Sequence, residues 1–288
     1  MLEAYRYIRI VRELGPVGAE VAGVDLSEPL TQAVCTEIYQ AWLCHGLLCF
    51  RDQHLAPARQ ADFAALFGRL DVYPFMQPSE CHAHVVDLIK EAGSRTNFGG
   101  LWHTDTSYLQ EPPKATVLYA VEVPEVGGDT LFADARAAWD DLSPGFQRLL
   151  GPLRGIFSPA LVHGAGGAYA DSRARTDLGE RYAVDAESAA SEVVHPLIRS
   201  HSETGRRSIY ASLAHTLRIE GMTREESLPL LTQLAEHATR ECYVTRLQWT
   251  PGTVAIWDNR CLFHFALNDY QGSRRHVRRV IVAGERPV

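Results

Sequence analysis

Several things are scarce or missing in this sequence, and each absence excludes something. The 288 residues carry 28 Lys and Arg against 35 Asp and Glu, a net charge of −7. No excess of positive charge is available for a phosphate backbone or an anionic bilayer, so neither nucleic acid nor membrane is an expected partner. The basic run RRHVRR at 274–279 is the local exception. The six cysteines (Cys35, Cys44, Cys49, Cys81, Cys242 and Cys261) contain no CxxC pair and match no disulfide or zinc framework. They read as reduced thiols, several inside apolar runs, which suits a cytoplasmic protein. No apolar run approaches the ~20 residues of a membrane span. The opening MLEAYRYIRIVREL is too charged and alternating for a signal peptide or anchor. No GxGxxG opens a helix, no repeat recurs and no clean linker divides the chain, so a Rossmann fold is set aside and one domain over 1–288 is expected.

What is present suffices for a substantial core, with 46% hydrophobic and 22% charged residues. Tyr7–Val11 alternates as an opening strand. Thr31 to about His45 has helical spacing through Val34, Ile38, Trp42 and Leu43, GLLCFRD follows as a short buried strand, and Pro57–Phe67 makes a second amphipathic helix. ATVLYAVEV (115–123) and DTLFAD (129–134) read as strands joined by a Pro/Gly turn, with a helix expected over 135–150. Residues 160–192 show little periodicity and suggest a long loop. Thr223 and Glu226 form a capping box ahead of LPLLTQLAEHA. The tail holds three strand-like runs, CYVTRLQW, TVAIWD and HVRRVIVAG. Strands that do not alternate regularly with helices predict a mostly β fold, a sandwich or barrel with flanking helices.

The stretch LWHTDTSY, Leu101–Tyr108, carries the first chemical signal. If it is extended, His103 and Asp105 share a face, offering one nitrogen and one oxygen side by side. That is two-thirds of a 2-His-1-carboxylate triad, which holds iron(II) and leaves positions open; a histidine simply hydrogen-bonded to its neighbour is the alternative. His264 lies among Leu262, Phe263 and Phe265, where an imidazole needs a partner, either a carbonyl or a metal. Cys81-His82-Ala83-His84 has nothing nearby to complete a site. In a strand, Arg275 and Arg279 lie on one face with Val277 between them. Two inward guanidiniums need anions and suit carboxylates or sulfonates; a solvated basic edge strand is the alternative. Arg274 and Arg278, on the opposite face, are expected in solvent.

In order and spacing, His103-Thr104-Asp105, Gly127-Gly128-Asp129-Thr130-Leu131, Trp257-Asp258-Asn259-Arg260 with His264, Asn268-Asp269-Tyr270, and Arg275 with Arg279 resemble the taurine dioxygenase/2,4-dichlorophenoxyacetate dioxygenase family. PVGAEVAGVDLSEPL, GLLCFRDQHL and the closing GERPV extend the resemblance over nearly the whole chain. It implies a double-stranded β-helix (jelly-roll, cupin-like) core and an iron(II)- and 2-oxoglutarate-dependent dioxygenase. Such an enzyme uses dioxygen to oxidise a C–H bond of a small anionic substrate, with succinate and carbon dioxide as co-products. It implies His103, Asp105 and His264 as iron ligands, Thr130 and Arg275 as partners of the distal carboxylate of 2-oxoglutarate, and Arg279 as a grip on a substrate anion. A carboxylate at position 105 implies oxygenation rather than halogenation, which needs a small residue there. Leu70 and Gly99 stand where taurine dioxygenase has a histidine and an asparagine, so the taurine pocket is only partly kept. Tyr73 and Phe75 could line a more apolar substrate pocket or belong to the core. Lid loops are expected near 75–101 and 160–192, and self-association into a homo-oligomer is a further expectation. A zinc-dependent hydrolase on the same ligands and a non-catalytic jelly-roll binding protein are the competing classes.

Overall fold

The computed structural model describes residues 5–72, 78–164, 166–168 and 189–288. Its first half contains β1 (Arg9–Glu13), β2 (Ala19–Ala22), α1 (Gln32–His45), β3 (Leu47–Phe50), α2 (Pro57–Ala65), β4 (Leu70–Asp71), β5 (Val86–Lys90) and β6 (Ala115–Glu122). Next come β7 (Thr130–Asp134), α3 (Ala135–Asp140), α4 (Pro144–Leu150), β8 (Arg154–Phe157), α5 (Ala160–His163), β9 (Val193–Pro196) and β10 (Ile198–Ser200). The chain ends with β11 (Arg207–Ile209), β12 (Thr216–Ile219), α6 (Arg224–Ala238), β13 (Val244–Leu247), β14 (Val254–Asp258), β15 (Leu262–Ala266) and β16 (Arg275–Val282).

Strand alternation sorts the side chains into layers. The large sheet runs β1-β2-β3-β14-β6-β16-β4, with β5 also on β16, and only the β2–β3 pair is parallel. On one face Leu48, Phe50, Val117, Val254, Ile256 and Val280 pack with Trp42 of α1 and Phe63 of α2. The intervening residues Cys49, Leu118, Ala255, Trp257 and Val277 point the other way and pack with Phe132, Leu247 and Leu262. Those three belong to a second, smaller antiparallel sheet of order β13-β7-β15. Two facing sheets with a shared apolar layer make the jelly-roll, with helices α1 and α2 covering the large sheet from outside. Residues 133 and 263, on the outer face of the small sheet, pack instead with α3 and α6. The side chains that point between the sheets therefore include every polar residue singled out on β7, β15 and the inward face of β16.

Local chemistry explains where the element boundaries fall. Thr31 caps α1 and Gly46 closes it at φ +71°, a left-handed conformation that glycine adopts without a Cβ clash. The helix expected over 135–150 is two helices. Ser143 caps the backbone of Phe146 and Pro144, at the first helical position, lacks the N–H that a continuous helix needs. The capping box at Thr223 and Glu226 is formed, each side chain bonding the other's backbone N–H. The span expected as a lid near 75–101 contains a strand, since Val86–Lys90 is hydrogen-bonded along β16. Its inward residues Val86, Leu88 and Lys90 alternate with Asp87 and Ile89, a period of two that a loop reading passes over. Tyr73 and Phe75 lie outside the described residues, as does most of the second lid span; of that span Ala160–His163 is a short helix.

Candidate metal centre and its anion pockets

Backbone pairing decides where the two histidine rings meet. His103 and His264 form an antiparallel bridge, His103 N–H donating to the His264 carbonyl at 3.1 Å and His264 N–H to the His103 carbonyl at 2.8 Å. Directly opposed residues share a face, and the ring centroids stand 4.2 Å apart. On β15 the inward positions are Leu262, His264 and Ala266, so Phe263 and Phe265 point outward. The aromatic surroundings read from the sequence therefore lie on the other face. The His264 ring is held instead by Trp257 and Phe132, with centroids at 4.9 and 6.0 Å.

Asp105 arrives by a different route from the one its spacing suggests. His103 is in the bridge, but a turn begins at Asp105 and Thr106 takes φ +43°, an uncommon conformation for a β-branched residue. Even so, Asp105 Oδ1 lies 3.8 Å from His103 Nε2 and 3.7 Å from His264 Nε2. One ligand atom from each residue falls within 4.8 Å of the other two. The other oxygen, Oδ2, accepts the Thr116 hydroxyl at 2.5 Å, and Thr116 in turn accepts from Asn259 Nδ2 at 3.0 Å. Asn259 is fixed by Trp257 Nε1 on its side-chain oxygen at 2.9 Å and by the Thr104 hydroxyl on its carbonyl at 2.6 Å. His103 Nδ1 lies 2.6 Å from the Leu101 carbonyl. That contact makes Nδ1 the donor and turns the Nε2 lone pair toward the centre.

Protonation states follow from burial and charge. Burial disfavours ionised Asp105, but the Arg279 guanidinium, His264, His103 and the Thr116 hydroxyl outweigh it and hold the carboxyl well below its ordinary range. Burial pushes His264 down to about 3 and lowers His103 as well. Two neutral imidazoles and one ionised carboxylate are therefore gathered at one point. This donor set fits a divalent metal of the 2-His-1-carboxylate type, with the backbone bridge and the Thr116–Asn259 chain holding its ligands.

Two anion-seeking features flank the triad. Arg279, inward on β16, places Nη2 2.9 Å from Asp105 Oδ1. Arg275, four residues earlier on the same face, has no hydrogen-bond partner on Nε among the described residues and stands 5.8 Å from the Trp249 ring. Burial lowers its affinity for the proton. Trp249 Nε1 donates to Thr130 Oγ1 at 2.9 Å, which leaves the Thr130 O–H to donate elsewhere. The Gly127-Gly128 turn brings Thr130 into place. Gly128 N–H donates to Asp269 Oδ1 at 2.7 Å, and a Cβ on Gly127 would stand 2.7 Å from that same oxygen. Asp129 is held by Arg246 at 2.6 Å. On the opposite face the sequence reading fails in part. Arg274 pairs with Glu91 and Glu122, while Arg278 lies over Tyr119 at 4.6 Å and donates to the Leu55 carbonyl. The alternation is correct, but that face of β16 lies against the loop before α2 and is not bathed in solvent.

In front of the triad is a narrow cleft lined by Phe98, His103, Asp105, Tyr108, His163 and His215. His163 bonds Tyr108 at 3.2 Å and His215 bonds Ser107 at 2.9 Å. The sequence reading gives none of these four residues a role, nor Thr116; Asn259 is named there only as part of the Trp257-Asp258-Asn259-Arg260 motif. The usable signal for Thr116 was a lone hydroxyl at an inward position of an otherwise apolar strand. Leu70 lies in β4, paired with Val282.

The comparisons with known proteins point to one family. The profile of the family described as "Taurine catabolism dioxygenase TauD, TfdA family" matches residues 10–281. An alkylsulfatase of Acinetobacter baylyi is 34% identical over 94% of this chain and 83% of its own length. A Pseudomonas putida alpha-ketoglutarate-dependent sulfate ester dioxygenase is 35% identical over 95% of this chain and 89% of its own. Among solved structures, a taurine dioxygenase from Burkholderia xenovorans superposes with a TM-score of 0.80 at 29% identity, covering 98% of this chain and 91% of that one. AAD-2 in complex with Mn(II) and N-oxalylglycine gives 0.78 at 30% identity, covering 97% and 98%. The chain belongs to the taurine catabolism dioxygenase TauD, TfdA family.

Proposed function

We propose that this protein is an iron(II)- and 2-oxoglutarate-dependent dioxygenase that oxidises a C–H bond of a small organic anion, with a sulfate ester, sulfonate or aryloxy acid as the substrate class. The observation that carries the reading is the convergence of His103, Asp105 and His264 within 4.8 Å, beside an inward arginine on either side of the inward Val277. Relatives named for sulfate esters, for 2,4-dichlorophenoxyacetate and, in yeast, for sulfonates all carry an acidic substrate in common. The family match over residues 10–281 supports one dioxygenase domain. The net charge of −7 supports a small-molecule partner over nucleic acid. Six unpaired cysteines support a reducing, cytoplasmic setting.

In this reading His103, Asp105 and His264 hold iron(II), which supplies activation of dioxygen when bound. Per turnover, one 2-oxoglutarate and one dioxygen yield succinate, carbon dioxide and a hydroxylated substrate. Arg275 and the Thr130 hydroxyl hold the distal carboxylate of 2-oxoglutarate, so its keto-acid end is aimed at the centre. Arg279 stands beside the metal carboxylate and orients the substrate's anionic group, bringing the neighbouring C–H toward the metal. Phe98 and Tyr108 supply an apolar wall that limits water. His103 and His264 remain neutral and Asp105 ionised at neutral pH, so no proton need leave before the metal binds.

The test is a substrate panel of sulfonates, sulfate esters, aryloxy acids and amino acids, read as iron- and oxygen-dependent succinate formation. Anaerobic iron(II) with 2-oxoglutarate should also give a weak visible charge-transfer band. If zinc supports turnover and 2-oxoglutarate does not bind, the hydrolase reading replaces this one.

A further inference from the structure

Strand β5 brings a second cation to Arg275. The β5–β16 register pairs Lys90 with Arg275, Leu88 with Val277 and Val86 with Arg279. Directly opposed residues on antiparallel strands point to the same face, so Lys90 stands beside Arg275 on the inner side of the large sheet. Lys90 is only 6% exposed and among the described residues its Nζ makes no hydrogen bond. It lies over the face of Tyr270, 4.3 Å from the ring centroid. Both cations line one cavity with Leu88, Thr96, Asn97 and Tyr270.

The surrounding carboxylates are engaged elsewhere. Asp129 and Asp269 pair with Arg246, and Glu91 and Glu122 with Arg274. Two like charges on neighbouring strands, Lys90 buried and Arg275 partly so, repel one another, and among the described residues neither Lys90 Nζ nor Arg275 Nε has a hydrogen-bond partner, an arrangement that costs stability unless an anion joins them. Burial holds the Lys90 ammonium below its ordinary range, and an incoming carboxylate would reverse that. A flexible ammonium beside a planar guanidinium can close on a carboxylate from two directions.

We propose that Lys90 and Arg275 form a two-cation receptor for the distal carboxylate of 2-oxoglutarate, so that Lys90 is a co-substrate-binding residue that selects dicarboxylic over monocarboxylic 2-oxo acids. This rests on the co-substrate reading above. Tyr270 is the platform that keeps the ammonium in the cavity when no carboxylate is bound.

The test is an anaerobic titration of the Mn(II)-loaded protein, followed by tryptophan fluorescence and calorimetry. The two ligands are 2-oxoglutarate and 2-oxopentanoate, which has the same carbon chain without the distal carboxylate. Lys90→Met keeps the stem packed on Tyr270 and removes the charge. It is expected to weaken 2-oxoglutarate by about tenfold or more, leave 2-oxopentanoate unchanged and leave the melting temperature of the ligand-free protein at or above wild type, since one of two repelling cations is removed; Lys90→Arg should recover most of the loss. Unchanged 2-oxoglutarate affinity, or equal weakening of both ligands, overturns the proposal. Should Lys90→Met not fold, Lys90→Gln is read by the same criterion. If the wild-type protein takes up Mn(II) but binds no 2-oxo acid, the co-substrate reading itself fails, and that is seen before any variant is made.

Discussion

At the scale of single residues, the proposed metal centre rests on side chains outside the triad of His103, Asp105 and His264. Thr116 donates to Asp105 Oδ2 and accepts from Asn259, so it fixes which carboxylate oxygen faces the histidines. Thr116→Val keeps shape and burial while removing both bonds. It should weaken Mn(II) or iron(II) affinity by about 10–100-fold, measured by calorimetry; unchanged affinity would show that the bond is incidental. Asp105→Ala should abolish metal-dependent succinate release. It also takes away the carboxylate facing buried Arg279, a loss worth about 3–5 kcal/mol of stability when a buried pair is broken, measured by denaturant unfolding. His103 and Asp105 were legible because two ligand types stood two residues apart. His264 and the two inward arginines were legible because a polar group in an apolar strand demands an explanation. Thr116, His163 and His215 were not, and Asn259 stood in a motif without a role, because a threonine in a strand or a histidine outside any clear pattern has many ordinary uses. Only the fold shows which of them face the centre.

At the scale of elements, the bridge between His103 and His264 is the joint on which the site turns, and Gly99 sits against it. Gly99 has φ +84°, and a Cβ there would lie 3.5 Å from both His103 Cε1 and the Ala266 Cβ. Space is therefore adequate, and backbone conformation is the obstacle. Gly99→Ala should cost about 1 kcal/mol from the left-handed conformation, seen as a lowered denaturation midpoint. Gly99→Asn should cost less, because asparagine tolerates that region. Equal losses would mean that side-chain crowding, not φ, controls the position. Strands β6 and β14 were legible as short apolar, β-branched runs bounded by turns, as befits strands buried on both faces, and only along β16 did alternation separate the inward arginines from their neighbours. Strand β5 was missed because five residues of mixed character between two irregular stretches look like loop. Without it the pairing of Lys90 with Arg275 is invisible. The single helix expected over 135–150 failed for a local reason, a serine cap and a proline that outweigh a continuous apolar pattern.

At the scale of the whole molecule, the jelly-roll buries histidines that the unfolded chain would expose. Burial holds His103, His195, His215 and His264 below the ordinary value of 6.5, and His264 lies at about 3. As pH falls below about 6.5, the unfolded chain takes up protons that the folded protein refuses, so stability drops with pH. Asp105 and Asp258, held below their ordinary 3.8, add to the loss at lower pH, because protonating them removes their contacts with Arg279 and Arg260. Both groups act in the same direction, so the melting temperature of the metal-free protein should fall steadily from pH 7 to pH 4, without a maximum near the sequence pI of about 5.9. Metal binding behaves differently. His264 stays neutral down to about 3, so protons compete weakly for this ligand, and Mn(II) at about 100 times its dissociation constant should add roughly 2.7 kcal/mol at pH 7. Most of that gain should survive at pH 5. The check is the difference in melting temperature with and without Mn(II) at the two pH values; a gain that vanishes by pH 5 would mean that the imidazoles titrate as solvated ones do and that the centre is open to water.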